Sequence, residues 1–246
     1  MKTKFHVRFF SRASHLDADI ELADVIKILS NKNQPSTSDN GYIFDSVNKT
    51  QHPTLSVRKS NRGARTSAIH HLKSTLCEAF IKNIYENLII YLSEVLTAAA
   101  QNGLDPDRLI GEHKVNFEAN DILKAGSWEN VVSMVSNSVF RKLENERKTS
   151  KLLEKLNDKL NLKVQQSSID NALPYLELRH LLVHNNGEID DVFANKYPSF
   201  GYLTGDKIKL DYDLLQKVRE SIYKLVNEFD KQIVDLNVVS PNDLQP

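Results

Sequence analysis

The chain has 246 residues, 40% of them hydrophobic, and this length suffices for one large domain with a substantial core. Its 32 basic and 32 acidic side chains cancel, so the net charge does not mark a nucleic-acid-binding protein. Because no apolar run approaches the roughly 20 residues that cross a bilayer, and the N-terminus lacks a secretory pattern, we expect a cytoplasmic protein without membrane contact.

Residues 1–65 are predicted to form an N-terminal arm. Apolar residues in Asp19–Ser30 (DIELADVIKILS) recur at helical spacing and indicate a short amphipathic helix, whereas the first residues could be extended. The stretch 31–66 is rich in Ser, Asn, Thr, Gln and Pro, which is typical of a flexible loop. Six basic and no acidic residues lie between Ser46 and Cys77, so a local positive patch can exist on a neutral protein.

The clearest helical pattern runs from Ser67 to Ala100, where apolar residues recur mostly at three or four positions and Pro and Gly are absent. Cys77, the only cysteine, is predicted to be a buried helical thiol, and it excludes an internal disulfide. A second helix is predicted to begin at Ser127 as N-cap, with Trp128 in the core and a break near Asn137 or Thr149.

The third helix is predicted to begin with Ser167 or Ser168 as N-cap and to end at the Asn-Asn-Gly that follows His184. A small hairpin or turn is expected within 200–213, followed by a final helix from about Asp211 to Leu236. These elements predict an all-α fold in which residues 66–238 form an antiparallel bundle of four to five helices, and residues 239–246 a disordered tail.

Arg179 and His184 form the candidate catalytic pair. A guanidinium carries a fixed charge that suits phosphate oxygens, and an imidazole titrates near neutrality and can move protons. The two groups together are the minimum for cleaving a phosphodiester without a metal ion. Five residues on an ideal helix place side chains about 140° apart after one full turn, so the helix must end near His184.

The segment 176–190, LELRHLLVHNNGEID, resembles the signature of HEPN domains: an Arg, a polar residue, several apolar residues and a His at the end of the third helix. Tyr85-Glu86 is similar to the aromatic-Glu pair of RiboL-PSP-type HEPN families, and 204–215, TGDKIKLDYDLL, resembles their turn into the last helix. The resemblance covers about 67–236. His180 stands where Asn or Asp is frequent in this family, which leaves the role of that position open.

The resemblance implies a helical bundle that forms a homodimer, with two copies of the motif around one RNA-binding cleft. It implies a metal-independent endoribonuclease of toxin or phage-defence type, without a cofactor, acting on RNA such as tRNA and associated with an antitoxin or another defence-system protein. Arg179 would hold the scissile phosphate and His184 would act as general base or acid. His180, Glu86 and Asn185 would support this pair.

Other interpretations stay open at this point. His184 could be a structural histidine at a helix end, and Arg179 could form an ordinary ion pair. His180 and His184 have a spacing that can hold zinc, but no matching further ligands are evident, so no metal site is predicted.

The basic residues at the start of the long helix have two interpretations as well. Arg62, Arg65, His70 and Lys73 are predicted to contact RNA, or they belong to a solvated basic segment. The competing functions are a non-catalytic HEPN module that binds RNA, a nucleotide or a partner protein, and a structural dimerisation domain of a defence complex.

Overall fold

The computed structural model describes residues 1–32, 48, 50–52, 62–146 and 148–245, and only the backbone of residues 24–25, 27–32 and 62–66. The described residues form nine α-helices and two short strands, which confirms the all-α expectation. In chain order they are β1 (Lys2–Thr3), α1 (Lys4–Lys32), α2 (Arg62–Gln101), α3 (Pro106–Ile110), α4 (Ala119–Lys124), α5 (Trp128–Glu144), α6 (Thr149–Lys159), α7 (Gln166–His184), α8 (Asp191–Lys196), α9 (Tyr212–Asp235) and β2 (Leu244–Gln245), with 3-10 turns at Pro198–Phe200 and Pro241–Asp243.

The long helix α2 is the centre of the fold, and α1, α5, α7 and α9 all pack against it. Most of its apolar stripe is covered, with side chains such as Ile84, Leu88 and Leu92 almost inaccessible to solvent. Cys77 is also buried within this helix, as predicted. The apolar spacing of α2 therefore places it in the core.

The helix predicted at Asp19–Ser30 is present but belongs to the longer helix α1, whose residues up to Ala23 pack on the helical body, so the prediction of a separate arm is wrong for this part of the chain. Phe5, Phe9 and Ala13 recur every four residues along α1 and are buried against the core. The Asn87 side chain in α2 donates a hydrogen bond to the carbonyl of Phe9 at 2.9 Å. The predicted polar, basic loop lies mostly outside the described residues.

Residues 239–245 are ordered, so the predicted disordered tail at 239–246 is wrong for them, and residue 246 lies outside the described residues. Val239 is buried, Ser240 caps a 3-10 turn, and β2 pairs antiparallel with β1. Asp230 of α9 accepts hydrogen bonds from the Thr3 hydroxyl at 2.5 Å and from the Thr3 backbone N–H at 3.2 Å. These contacts join the two ends of the chain.

The helix boundaries in the middle of the chain follow local signals in most places. Ser127 caps α5 by accepting a hydrogen bond from the Asn130 backbone N–H, as predicted, and a break separates α5 from α6 before Thr149. Trp128, however, is 74% exposed, so its predicted place in the core is wrong. The wrong assignment arose because Trp128 lies on the apolar stripe of α5 but beyond the end of the core.

Helix α7 begins earlier than predicted, with Gln165 as N-cap and no side-chain capping bond, so neither Ser167 nor Ser168 caps it. Of the hairpin or turn expected within 200–213, the structure has a turn at Thr204 and Gly205, and the residues after it pair with the segment that follows α7. Glu188 and Lys207 form an antiparallel bridge, and the Ile189 N–H donates to the Asp206 carbonyl at 2.8 Å.

Candidate active site at the end of helix α7

Helix α7 ends at His184, as the sequence predicts, because the next residues leave the helical conformation. Asn186 and Gly187 have φ values of 51° and 70°, and the Gly187 N–H donates back to the carbonyl of Leu181 at 2.9 Å. This is the left-handed termination for which glycine is suited. The last turn of α7 consequently presents His184 at the surface.

Arg179 is held between two residues of α2. Its Nη2 donates to the Glu86 carboxylate at 3.1 Å, and its guanidinium lies over the Tyr85 ring, 5.0 Å from the centroid. Burial raises the pKa of Tyr85, and the positive charge of Arg179 opposes that rise. The Nε of Arg179 is buried without a hydrogen-bond partner among the described residues. The stacked and paired guanidinium of Arg179 is fixed in orientation, since the Tyr85 ring sets its plane and the hydrogen bond to Glu86 sets the direction of its N–H groups.

His180 and His184 stand on the exposed side of α7, with ring centroids 4.7 Å apart. Arg179 points toward α2 instead, and no hydrogen bond or ring contact joins it to His184 in the described part of the subunit. This divergence agrees with the angle of about 140° that the five-residue spacing gives on a helix. One subunit therefore presents the two groups in different directions.

The loop after His184 is fixed by the residues around it. The Asn185 side chain donates to the Asp190 carboxylate at 3.3 Å, and Asp190 caps α8 by accepting from the Phe193 N–H at 2.8 Å. Lys207 donates its ammonium to the Asn186 carbonyl at 3.0 Å. The sequence analysis named Asn185 but missed Lys207, a half-exposed cation whose partner Asn186 lies two residues after His184. The position of Lys207 just after Gly205 was the available signal.

Of the four predicted RNA-binding residues, the structure describes the side chains of His70 and Lys73, and neither lies with this site in one subunit. His70 is exposed but stands 16 residues before Glu86 on the same helix, about 24 Å away at about 1.5 Å per residue. Lys73 is buried, and its charge acts on the Asp211 carboxylate, which argues against an exposed RNA contact. The side chains of Arg62 and Arg65 lie outside the described part of the structure.

Two further properties of the described residues bear on the chemistry. None of these helices combines the length and the apolar character needed to cross a bilayer. No three or more His, Cys, Asp or Glu side chains come together as a metal-binding group within the described ranges. Comparisons of the chain with protein-family models, curated proteins and solved structures gave no match.

Proposed function

We propose that the chain is a HEPN-like, metal-independent endoribonuclease of toxin or phage-defence type that cleaves RNA in a cleft between two copies of itself. The observation that carries this proposal is the end of α7, which fixes Arg179 against Tyr85 and Glu86 and exposes His184 one turn later. A guanidinium held in one orientation and an accessible imidazole, brought together from two copies of the chain, suit charge stabilisation and proton transfer at a phosphodiester.

The reaction divides between the two side chains. His184 takes the proton of the ribose 2′-hydroxyl, whose oxygen attacks the adjacent phosphorus, and the bond from phosphorus to the 5′-oxygen breaks as that oxygen takes a proton from water. Arg179 holds the non-bridging oxygens while negative charge develops on them. The products are a 2′,3′-cyclic phosphate and a 5′-hydroxyl end. The guanidinium supplies the positive charge, so this route needs no metal ion.

A dimer is required because one subunit points its Arg179 and His184 in different directions. In a two-fold assembly the Arg179 of one copy can face the His184 of the other. Release of Arg179 from Glu86 costs little, since both side chains are partly exposed and such a pair is worth about 0–1 kcal/mol. Phosphate can therefore compete with the carboxylate for the guanidinium.

The test is cleavage of total RNA and tRNA by the purified chain in EDTA. Wild type should cleave, and Arg179→Ala and His184→Ala should each lose at least about a hundredfold in rate, as expected for a removed acid–base or charge-stabilising group. A requirement for added metal, or full activity in both variants, would refute the mechanism.

Mixing the two inactive variants tests the shared site directly. Half of the dimers formed at random carry one copy of each variant, and each of these holds one intact pair, so about a quarter of wild-type activity should return. Lys217→Ala, which changes an exposed cation on helix α9, serves as the matched control in both assays. A mixture as inactive as its components would show that subunits do not share the site.

The second candidate is a non-catalytic module that binds RNA or a partner protein. It is favoured by the Glu86 carboxylate, which neutralises Arg179, and by the absence of contact between Arg179 and His184 in the described subunit. RNA binding that is lost in Arg179→Ala, without cleavage by wild type under any condition, would establish this function in place of catalysis.

A further inference from the structure

Helix α4 and the first turn of α5 lie outside the core. None of the residues 118–135 is buried, and α4 contributes no residue to the core at all. Leu123 and Trp128 are 82% and 74% exposed, and Ile122 is 45% exposed. Single exposed apolar residues are ordinary, whereas a group of large ones marks an interaction site. We call Ile122, Leu123 and Trp128 the apolar patch.

The turn between α4 and α5, which separates Leu123 from Trp128 along the chain, is ordered by hydrogen bonds. The Asn130 side chain donates to the Ala125 carbonyl at 2.7 Å, and the Ser127 hydroxyl accepts from the Asn130 N–H. The patch is therefore a property of an ordered turn, with its aromatic and aliphatic members on either side of Gly126.

The apolar stripe of α5 shows that the patch continues a core-facing surface. Trp128, Val132, Val135 and Val139 recur at intervals of four, three and four residues, which places them on one face of the helix. Val139 is fully buried, and Val132 and Val135 pack partly against the core. Trp128 extends this same stripe past the edge of the described body. A helix face that is covered at one end and open at the other is suited to a partner that extends the packing.

The charged side chains around the patch indicate the sign of the charge that a partner would carry. Glu118, Asp121 and Glu129 are acidic, and Lys124 alone among residues 118–129 is basic. Hydrogen bonds from its own backbone N–H and from Ser127 lower the pKa of Glu129, so it is ionised at neutral pH. A second copy of the patch would bring like charges together, and an anionic membrane would be repelled in the same way.

We propose that the apolar patch docks a helical segment of another protein whose apolar face is flanked by Lys or Arg side chains. Leucine-sized side chains of that segment would pack on Trp128 and Leu123, and its cations would lie beside Asp121 and Glu118. This is helix-on-helix recognition by an apolar stripe with charged edges. It stands whether or not the chain cleaves RNA.

Trp128 makes the proposal directly measurable, because it is the only tryptophan in the chain. The probe is a synthetic helical peptide of about 14 residues, with leucine at helical spacing and lysine elsewhere, titrated into the full-length protein. The matched probe has the same leucines and glutamate in place of lysine. The lysine peptide should shift the emission of Trp128 to shorter wavelength in a saturable manner, and the glutamate peptide should not.

Variants separate the apolar and charged contributions. Leu123→Ser should abolish the shift, whereas Leu22→Ser, at a leucine that is 60% exposed on α1, should leave it intact. Glu118→Lys combined with Asp121→Lys should weaken binding of the lysine peptide about tenfold, which corresponds to about 1.4 kcal/mol. Thermal unfolding of each variant should match wild type, because the altered side chains are exposed.

Four outcomes would overturn the proposal. They are no shift with the lysine peptide, equal shifts with both peptides, a shift that grows with protein concentration alone, and a larger shift with anionic phosphatidylserine vesicles than with the peptide. The third would assign the patch to a second copy of this chain, and the fourth to a membrane surface.

Discussion

Replacement of Asp230 by alanine should strongly destabilise the fold, because this carboxylate fastens the N-terminus to the last long helix. Asp230 is fully buried and accepts both the hydroxyl and the backbone N–H of Thr3, which is itself inaccessible to solvent. Burial raises the pKa of Tyr91, and the negative charge of Asp230 raises it further. The Asp230 carboxylate thus lies among buried groups of Thr3 and Tyr91, and the two donors of Thr3 rely on it as their acceptor.

The magnitude follows from the groups left without an acceptor. Asp230→Ala removes two hydrogen bonds and leaves two buried donors of Thr3 unpaired, each at about 1–3 kcal/mol. We expect a loss of about 3–5 kcal/mol in the free energy of unfolding, a large part of the roughly 5–15 kcal/mol of an ordinary domain. Asp230→Asn keeps one acceptor oxygen and should lose less.

Urea unfolding at equilibrium measures this loss, and a double-mutant cycle assigns it to the contact. Thr3→Val removes only the hydroxyl, so Asp230→Ala combined with Thr3→Val should cost about 1–3 kcal/mol less than the sum of the single changes. Thr3→Ser, which keeps the donor, is the matched control. Additive costs, or a loss below about 1 kcal/mol for Asp230→Ala, would refute the idea that this contact fastens the N-terminus.

Substitutions at three further positions, Asp211, Gly187 and Tyr85, test other parts of the structure. Asp211→Ala removes the side-chain cap that accepts from the Leu214 N–H at 2.9 Å and should cost about 1 kcal/mol by urea unfolding. Burial opposes ionisation of Asp211, but hydrogen bonds from Lys209 and Leu214 outweigh it and lower its pKa. The contribution of this ionised carboxylate to the free energy of unfolding is therefore complete above the pKa of the unfolded carboxyl and is lost as pH falls through the lower pKa of the folded state. Asp211→Asn should consequently make the free energy of unfolding fall less steeply as the solution is acidified. Gly187→Ala, at φ 70°, should cost about 1 kcal/mol or more, measured as a lower thermal midpoint, and an unchanged midpoint would contradict the left-handed termination. Tyr85→Phe should retain any RNA cleavage because the ring still stacks on the guanidinium, and Tyr85→Leu should reduce it; equal rates would show that stacking is irrelevant.

The elements that could be predicted are those whose signal is local. Helices α2 and α9 carry long apolar stripes, and their boundaries lie within a few residues of the predicted ones. The end of α7 was predictable as well, since Asn-Asn-Gly favours left-handed backbone. In each case the residues that determine the element lie within a few positions of it.

The elements that could not be predicted depend on partners far along the chain. Thr3 and Asp230 are 227 residues apart, and neither carries a local signal for a buried hydrogen bond. The N-terminal helix contacts the core through Phe5, Phe9 and Ala13, with charged residues between them, so its apolar pattern is too sparse to reveal a core helix. Tertiary packing, and not propensity, places it there.

The contacts of the candidate site also differ in whether the sequence alone could predict them. The pairing of Arg179 with Glu86 spans 93 residues and was anticipated only through the resemblance to a family, not through spacing. Lys207 was missed because it binds a backbone carbonyl in a loop, a contact that no side-chain pattern announces. The His180 and His184 rings, in contrast, lie together because they are one helical turn apart.

The wrong prediction for Trp128 carries information of its own. Trp128 lies on the same stripe of α5 as Val132 and Val135, which do pack on the core. In the described subunit nothing covers the Trp128 end of that stripe. An apolar residue that obeys the helical pattern and is nonetheless 74% exposed points to an interface rather than to a failure of the pattern.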